Sequence, residues 1–159
     1  MADPGRGDAG GLTVSATIDA NVLIYASNSS SPHFEGASGV LRQLADGAGL
    51  VYLFWPVTMA YLRVVTHPRL LQPPLSLDSG LANVETLLAL PHMRSGSEEE
   101  GFLARLREVG GPLPAVGKLV HDAHIVALMR QHGVDTIWTY DRDFRKFDGI
   151  RVMDAPTRT

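Results

Sequence analysis

Residues 13–18 (TVSATI) alternate between faces and carry β-branched groups, a pattern that predicts a strand running into Asp19. The following NVLIYAS reads as a short helical turn, and SNSSSP as a loop. From about Phe34 to Ala45 the apolar positions Ala37, Val40, Leu41 and Leu44 recur at helical spacing. Leu50–Trp55 is a continuous apolar run between Gly49 and Pro56, as a buried strand requires, and Pro56 suits the first turn of a helix continuing through VTMAYLRVVT. Three prolines make HPRLLQPP a loop. Ser76 is placed to cap a helix through Leu90, with Leu77, Leu81, Val84, Leu87 and Leu88 on its apolar face. A weak strand over Pro91–Arg94 comes next. Ser97 and the glutamates after it predict a helix start, since acids suit the positive end of the helix dipole, and Gly110–Gly111 end that helix. Beyond Pro112 and Pro114 a long helix is expected from about Ala115 to Gln131, stopped by Gly133. Val134–Tyr140 reads as a strand, DRDFRKF as a helical turn, and Ile150–Met153 as a last strand before a loose tail.

Strands that alternate with helices predict an α/β fold, a three-layer α/β/α sandwich around a mostly parallel sheet. The chain has 159 residues, no internal repeat and no interior linker, so one domain over residues 13–155 is expected after a flexible leader over residues 1–12. That leader has no apolar run of the kind a signal peptide needs. No stretch approaches the ~18 apolar residues of a membrane span. With no cysteine, disulfides, thiolate metal sites and cysteine nucleophiles are excluded, and a cytoplasmic protein is expected.

A net charge of −3 does not announce a nucleic-acid binder, but acids gathered around a cation would leave the remaining surface near neutral. In a parallel sheet, ligands collect where strands end, and both Asp19 and Asp141 directly follow predicted strands. Asp122 lies among apolar neighbours on the long helix, where a carboxylate is costly unless paired or bound to metal. Oxygen ligands of this kind suit Mg²⁺ or Mn²⁺. The bland alternatives are equally specific: strand-end aspartates cap the next helix, and Lys118 stands four residues before Asp122 as an ion-pair partner. His121 and His124 flank Asp122 but have no third soft ligand for zinc, so packing or substrate contact is expected of them. Core packing is expected of Trp55, Trp138 and Phe144, and a helix face of Met59, Val64 and Val65. Arg142, Arg145 and Lys146 form a small basic group beside Asp141, either an RNA-backbone contact or a solvated face.

Three blocks in order, IDANVLIYA, KLVHDAHIVAL and WTYDRDFRKFDGIRV, resemble the PIN domain, and more narrowly the VapC ribonuclease toxins of bacterial toxin–antitoxin pairs, over roughly residues 15–155. LRVVTHPRLL is also typical of a VapC subgroup. The resemblance implies a metal-dependent endoribonuclease. Asp19 and Asp122 would be the principal Mg²⁺ (or Mn²⁺) ligands, with Asp141 as a further ligand and Asp143 in the second acidic position beside it. Asn21 would orient Asp19, and the Thr139 hydroxyl would bind water or phosphate. It further implies RNA as substrate, often a tRNA or rRNA loop, a VapB-like antitoxin whose tail enters the acidic groove, and a homodimer. Most such nucleases carry a glutamate on the helix after the second strand; here Ala60 holds that position, which implies one metal ion rather than two. Arg63, one turn on, reads equally as a surface or helix-capping arginine and as a phosphate or antitoxin contact. A catalytically degenerate PIN module that only binds RNA or antitoxin is the rival reading. A haloacid-dehalogenase-type phosphatase is excluded, because it needs a second aspartate where this chain has Asn21.

Overall fold

The structure is a computed structural model that describes residues 14–114 and 116–157; the expected leader lies outside them. Its centre is β1 (Ala16–Ile18), three residues buried on both faces. β1 pairs in parallel with β2 (Val51–Phe54) on one side and β4 (Thr136–Thr139) on the other. β3 (Met93–Gly96) extends the sheet beyond β2, and β5 (Arg151–Asp154) extends it beyond β4, giving the order β3-β2-β1-β4-β5 with every pair parallel.

Parallel neighbours require crossovers, and crossovers are right-handed. The steps from β1 to β2 to β3 therefore place α1 (Ala20–Ala26), α2 (Phe34–Asp46), α3 (Trp55–Val65) and α4 (Leu77–Leu88) on one face. The return to β4 places α5 (Phe102–Gly110) and α6 (Lys118–Gln131) on the other. Packing agrees: α1 lies against α2 and α3, α3 against α4, and α5 against α6. The expected three-layer α/β/α sandwich is the observed fold. α6 is its most deeply set helix, with Ala123, Ile125, Val126, Ala127, Leu128 and Met129 all buried in the core.

Local chemistry explains most boundaries. Ser76 Oγ accepts from the Ser79 amide at 3.0 Å and so caps α4 as expected. Pro56 sits in the first turn of α3, where its missing N–H costs nothing. Five expectations are corrected. The glutamates after Ser97 do not open α5, which starts at Phe102 behind Gly101 at φ 80°. Tertiary bonds hold that segment instead: Gln131 Nε2 donates to the Ser97 carbonyl at 2.9 Å, and Glu98 pairs with His124. α6 begins at Lys118 rather than Ala115, because Gly117 enters it at φ 55°, ψ −119°, outside helical space. β3 lies two residues later than expected. Trp55 (47% exposed) and Met59 (58%) are not core, since Val57, Tyr61 and Val65 already supply the buried face of α3. Nor is the tail loose through Ala155 and Pro156: Ala155 is buried, and the Tyr140 hydroxyl donates to the Pro156 carbonyl at 3.0 Å.

Candidate active site

The strand order reverses at β1, because the chain builds outward to β3 and then crosses back to β4. The carboxyl ends of β1 and β4 flank this switch point, where an α/β sheet leaves a crevice for ligand. Ile18 is in register with Trp138, and the Asp19 amide donates to the Trp138 carbonyl at 2.9 Å. Thus Asp19 at the end of β1 faces Thr139 at the end of β4.

Asp19 is buried, and its carboxylate is held from three directions. Oδ1 accepts from the Ala20 amide at 2.7 Å, capping α1, while Oδ2 accepts from Thr139 Oγ1 at 2.8 Å and Asn21 Nδ2 at 2.9 Å. The fully buried Thr139 hydroxyl also accepts from the Asp141 amide at 2.9 Å, so it ties the two strand-end aspartates together. Asn21 Oδ1 accepts from the Tyr140 amide at 3.3 Å, so Asn21 bridges the ends of β1 and β4. Asp141 Oδ1 accepts from the Asp143 amide at 2.9 Å and caps the 3-10 turn Arg142–Lys146. Capping and site geometry are therefore one arrangement, served by different oxygens of the same carboxylates.

Asp122, one turn into α6 and 2% exposed, joins Asp141 and Asp143 in a cluster whose carboxylate oxygens lie within 4.8 Å of one another. Asp19 stands beside this set rather than in it, close enough for its charge and that of Asp122 to repel. Burial pushes the carboxyls of both Asp19 and Asp122 above the ordinary value; hydrogen bonds from Thr139 and Ala20 oppose the rise in Asp19, and Lys118 opposes it in Asp122. Asp143 is shifted downward, chiefly by its hydrogen bond from Lys146. Lys118 Nζ reaches all three clustered acids, 3.3 Å from Asp122 Oδ2, 3.7 Å from Asp143 Oδ2 and hydrogen-bonded to Asp141 Oδ2.

An all-oxygen donor set of three carboxylates, only partly compensated by one ammonium, is chemically suited to a hard divalent cation. Among the described residues no glutamate joins the set, and Ala60 packs half-buried against the core. Arg63 is exposed in the last turn of α3. Arg145 pairs with Asp154, and Lys146 with Asp143 at 2.9 Å. His121 lies near enough to Asp19 and Asp122 to favour their charged forms. Sequence reasoning paired Lys118 with Asp122 but missed its contacts to Asp141 and Asp143, which are 23 and 25 positions away and carry no spacing signal.

Residues 16–150 match the PIN domain family. Ribonuclease VapC48 of Mycobacterium tuberculosis is 48% identical over 141 residues, covering 89% of this chain and 97% of that protein. Ribonuclease VapC37 of the same species is 32% identical over 142 residues, covering 87% and 96%. Among solved structures, M. tuberculosis VapC20, described as a Sarcin-Ricin loop cleaving toxin, superposes with a TM-score of 0.60 at 16% identity over 86% of this chain and 98% of its own. DNA-bound VapBC from Salmonella typhimurium gives 0.62 at 16% identity over 90% and 99%. These two likenesses bear on the fold, and the identities bear on the family. With its strand-end aspartates gathered at the switch point of a parallel sheet, this chain belongs to the PIN-domain family, among the VapC ribonucleases.

Proposed function

We propose that the protein is a metal-dependent endoribonuclease, the toxin of a toxin–antitoxin pair, which hydrolyses RNA phosphodiester bonds. The convergence of Asp122, Asp141 and Asp143 beside Asp19, in a chain 48% identical to a named ribonuclease, carries this reading. Asp122 of α6 and Asp141 just after β4 would hold Mg²⁺ or Mn²⁺, with Asp143 completing the set and Asp19, just after β1, adding charge and a ligand. When bound, such an ion would supply Lewis-acid stabilisation of the negative charge that builds on the phosphoryl and leaving-group oxygens during hydrolysis. The chain's own part is to fix the geometry: Thr139 and Asn21 lock Asp19, and the 3-10 turn locks Asp141. The depth of Asp122 keeps water from screening the site. No glutamate from α3 contributes, which favours one metal ion. The degenerate binding-module reading is not favoured, because four acids remain at the site, two of them at an evident burial cost.

The partners that follow are RNA, a VapB-like antitoxin and a second copy of the chain; the structural neighbours in which VapB and VapC occur together support the antitoxin. No described helix is long and apolar enough to cross a membrane, in keeping with a proposed cytoplasmic site of action. Purified protein freed of antitoxin is expected to cut RNA with Mg²⁺ or Mn²⁺ and not with EDTA. Asp19→Ala and Asp122→Ala should each lower the rate by at least about 100-fold. Equal cleavage by wild type and both variants would overturn the reading.

A further inference from the structure

The cation position of the acidic cluster is taken by a residue of the chain itself. Lys118 is the first residue of α6, and its ammonium bridges Asp122, Asp141 and Asp143. The three acids it touches are the ones whose carboxylate oxygens come within 4.8 Å of one another. Three anions at that separation cannot share a site without a counter-charge. Lys146 does not meet the need, since it binds only the outer oxygen of Asp143, at 2.9 Å. The Lys118 side chain is 60% exposed even though its ammonium contacts the three acids. Gly117 directs it there. The turn at φ 55°, ψ −119° starts α6 abruptly at Lys118, one helical turn before Asp122. A side chain held only by its charge, on an exposed stem, can swing into water without disturbing the helix that carries it.

We propose that Lys118 is a tethered counter-cation: it occupies the metal position of the acidic cluster in the metal-free protein, yields it to an entering divalent ion, and thereby lowers the apparent metal affinity. This rests on the reading of the cluster as a metal site. A binding-competent state that is only partly populated weakens the observed affinity by that fraction. If Lys118 closes the cluster about nine-tenths of the time, metal binds about tenfold more weakly than the carboxylates alone would allow. The device partly offsets the charge of the clustered acids and raises the concentration of divalent ion needed to fill the site.

The test measures Mn²⁺ binding to the full-length, metal-free protein by calorimetry and by the electron paramagnetic resonance of free Mn²⁺. Lys118→Met and Lys118→Gln are expected to bind Mn²⁺ about 5- to 10-fold more tightly than wild type. Lys118→Arg, which keeps the charge, should stay within about twofold of wild type, and so should Lys146→Met. Circular dichroism would check that each variant is folded, and having two neutral replacements keeps the test open if one is not. Unchanged or weaker binding in both, with binding abolished in Asp122→Asn, would overturn the counter-cation role and leave the metal site standing. No Mn²⁺ binding by wild type or by any Lys118 variant would overturn both.

Discussion

At the scale of single residues, Thr139 carries more of the site than its size suggests. One hydroxyl, fully buried, donates to Asp19 Oδ2 and accepts from the Asp141 amide and from Asn21 Nδ2 at 3.2 Å. Thr139→Val keeps the shape but leaves a buried carboxylate oxygen and a backbone N–H short of partners, which costs about 1–3 kcal/mol. We expect a matching loss in denaturant-measured stability together with reduced RNA cleavage, and recovery of both in Thr139→Ser; full activity in the valine variant would remove Thr139 from the site. Asp19, Asp122 and Asp141 were legible as candidates, because a carboxylate at a strand end or on an apolar helix face is conspicuous in a linear pattern. Thr139 became legible through the family resemblance, but its bonds to Asp19 and Asn21 depend on the β1–β4 register, which no local pattern encodes.

At the scale of elements, helices and strands followed from periodicity wherever one face meets the core, and failed where tertiary contacts outrank local preference. α4, with Ser76 at its cap, matches its pattern because capping is a local interaction. α5 does not: the Glu98 carboxylate pairs with His124 rather than with the helix dipole, and the Glu99 amide donates to Gln131 Oε1. The C-terminal segment is a second case. A Cβ at Gly36 of α2 would sit 1.9 Å from the Pro156 carbonyl oxygen and 3.1 Å from the Tyr140 hydroxyl, so the close approach demands glycine. Gly36→Ala must push that segment away and is expected to cost about 1–3 kcal/mol. Thermal unfolding measures this directly, and a variant as stable as wild type would show that the segment does not pack on α2.

At the scale of the whole molecule, five short parallel strands bring residues more than 100 positions apart to one crevice, and the fold bears the burial cost of their charge. That cost sets a pH dependence. The carboxyls of Asp19 and Asp122 are raised above 3.8, so the folded chain binds their protons more tightly than the unfolded chain does. Stability of the metal-free protein from these two groups therefore falls as pH rises from 3.8 through the raised values. Asp143, shifted the other way, contributes stability above 3.8 that is lost as pH falls through its lower value. In EDTA, Asp122→Asn should lose less thermal stability than wild type between mildly acidic and neutral buffer, and added Mg²⁺ should narrow the difference by stabilising only the wild type. Equal pH slopes in the two proteins would show that Asp122 bears no such cost. By itself the sequence determined the fold class, the candidate acids and the missing glutamate at Ala60, because periodicity, strand ends and residue identity are properties of neighbours along a chain. The tertiary structure alone decided that Asp143 stands inside the cluster and Asp19 beside it, that Trp55 and Met59 face outward, and that Lys118 fills the cation position. Each of those depends on distances set by sheet register and helix packing, and such distances exist only once the chain has closed on itself.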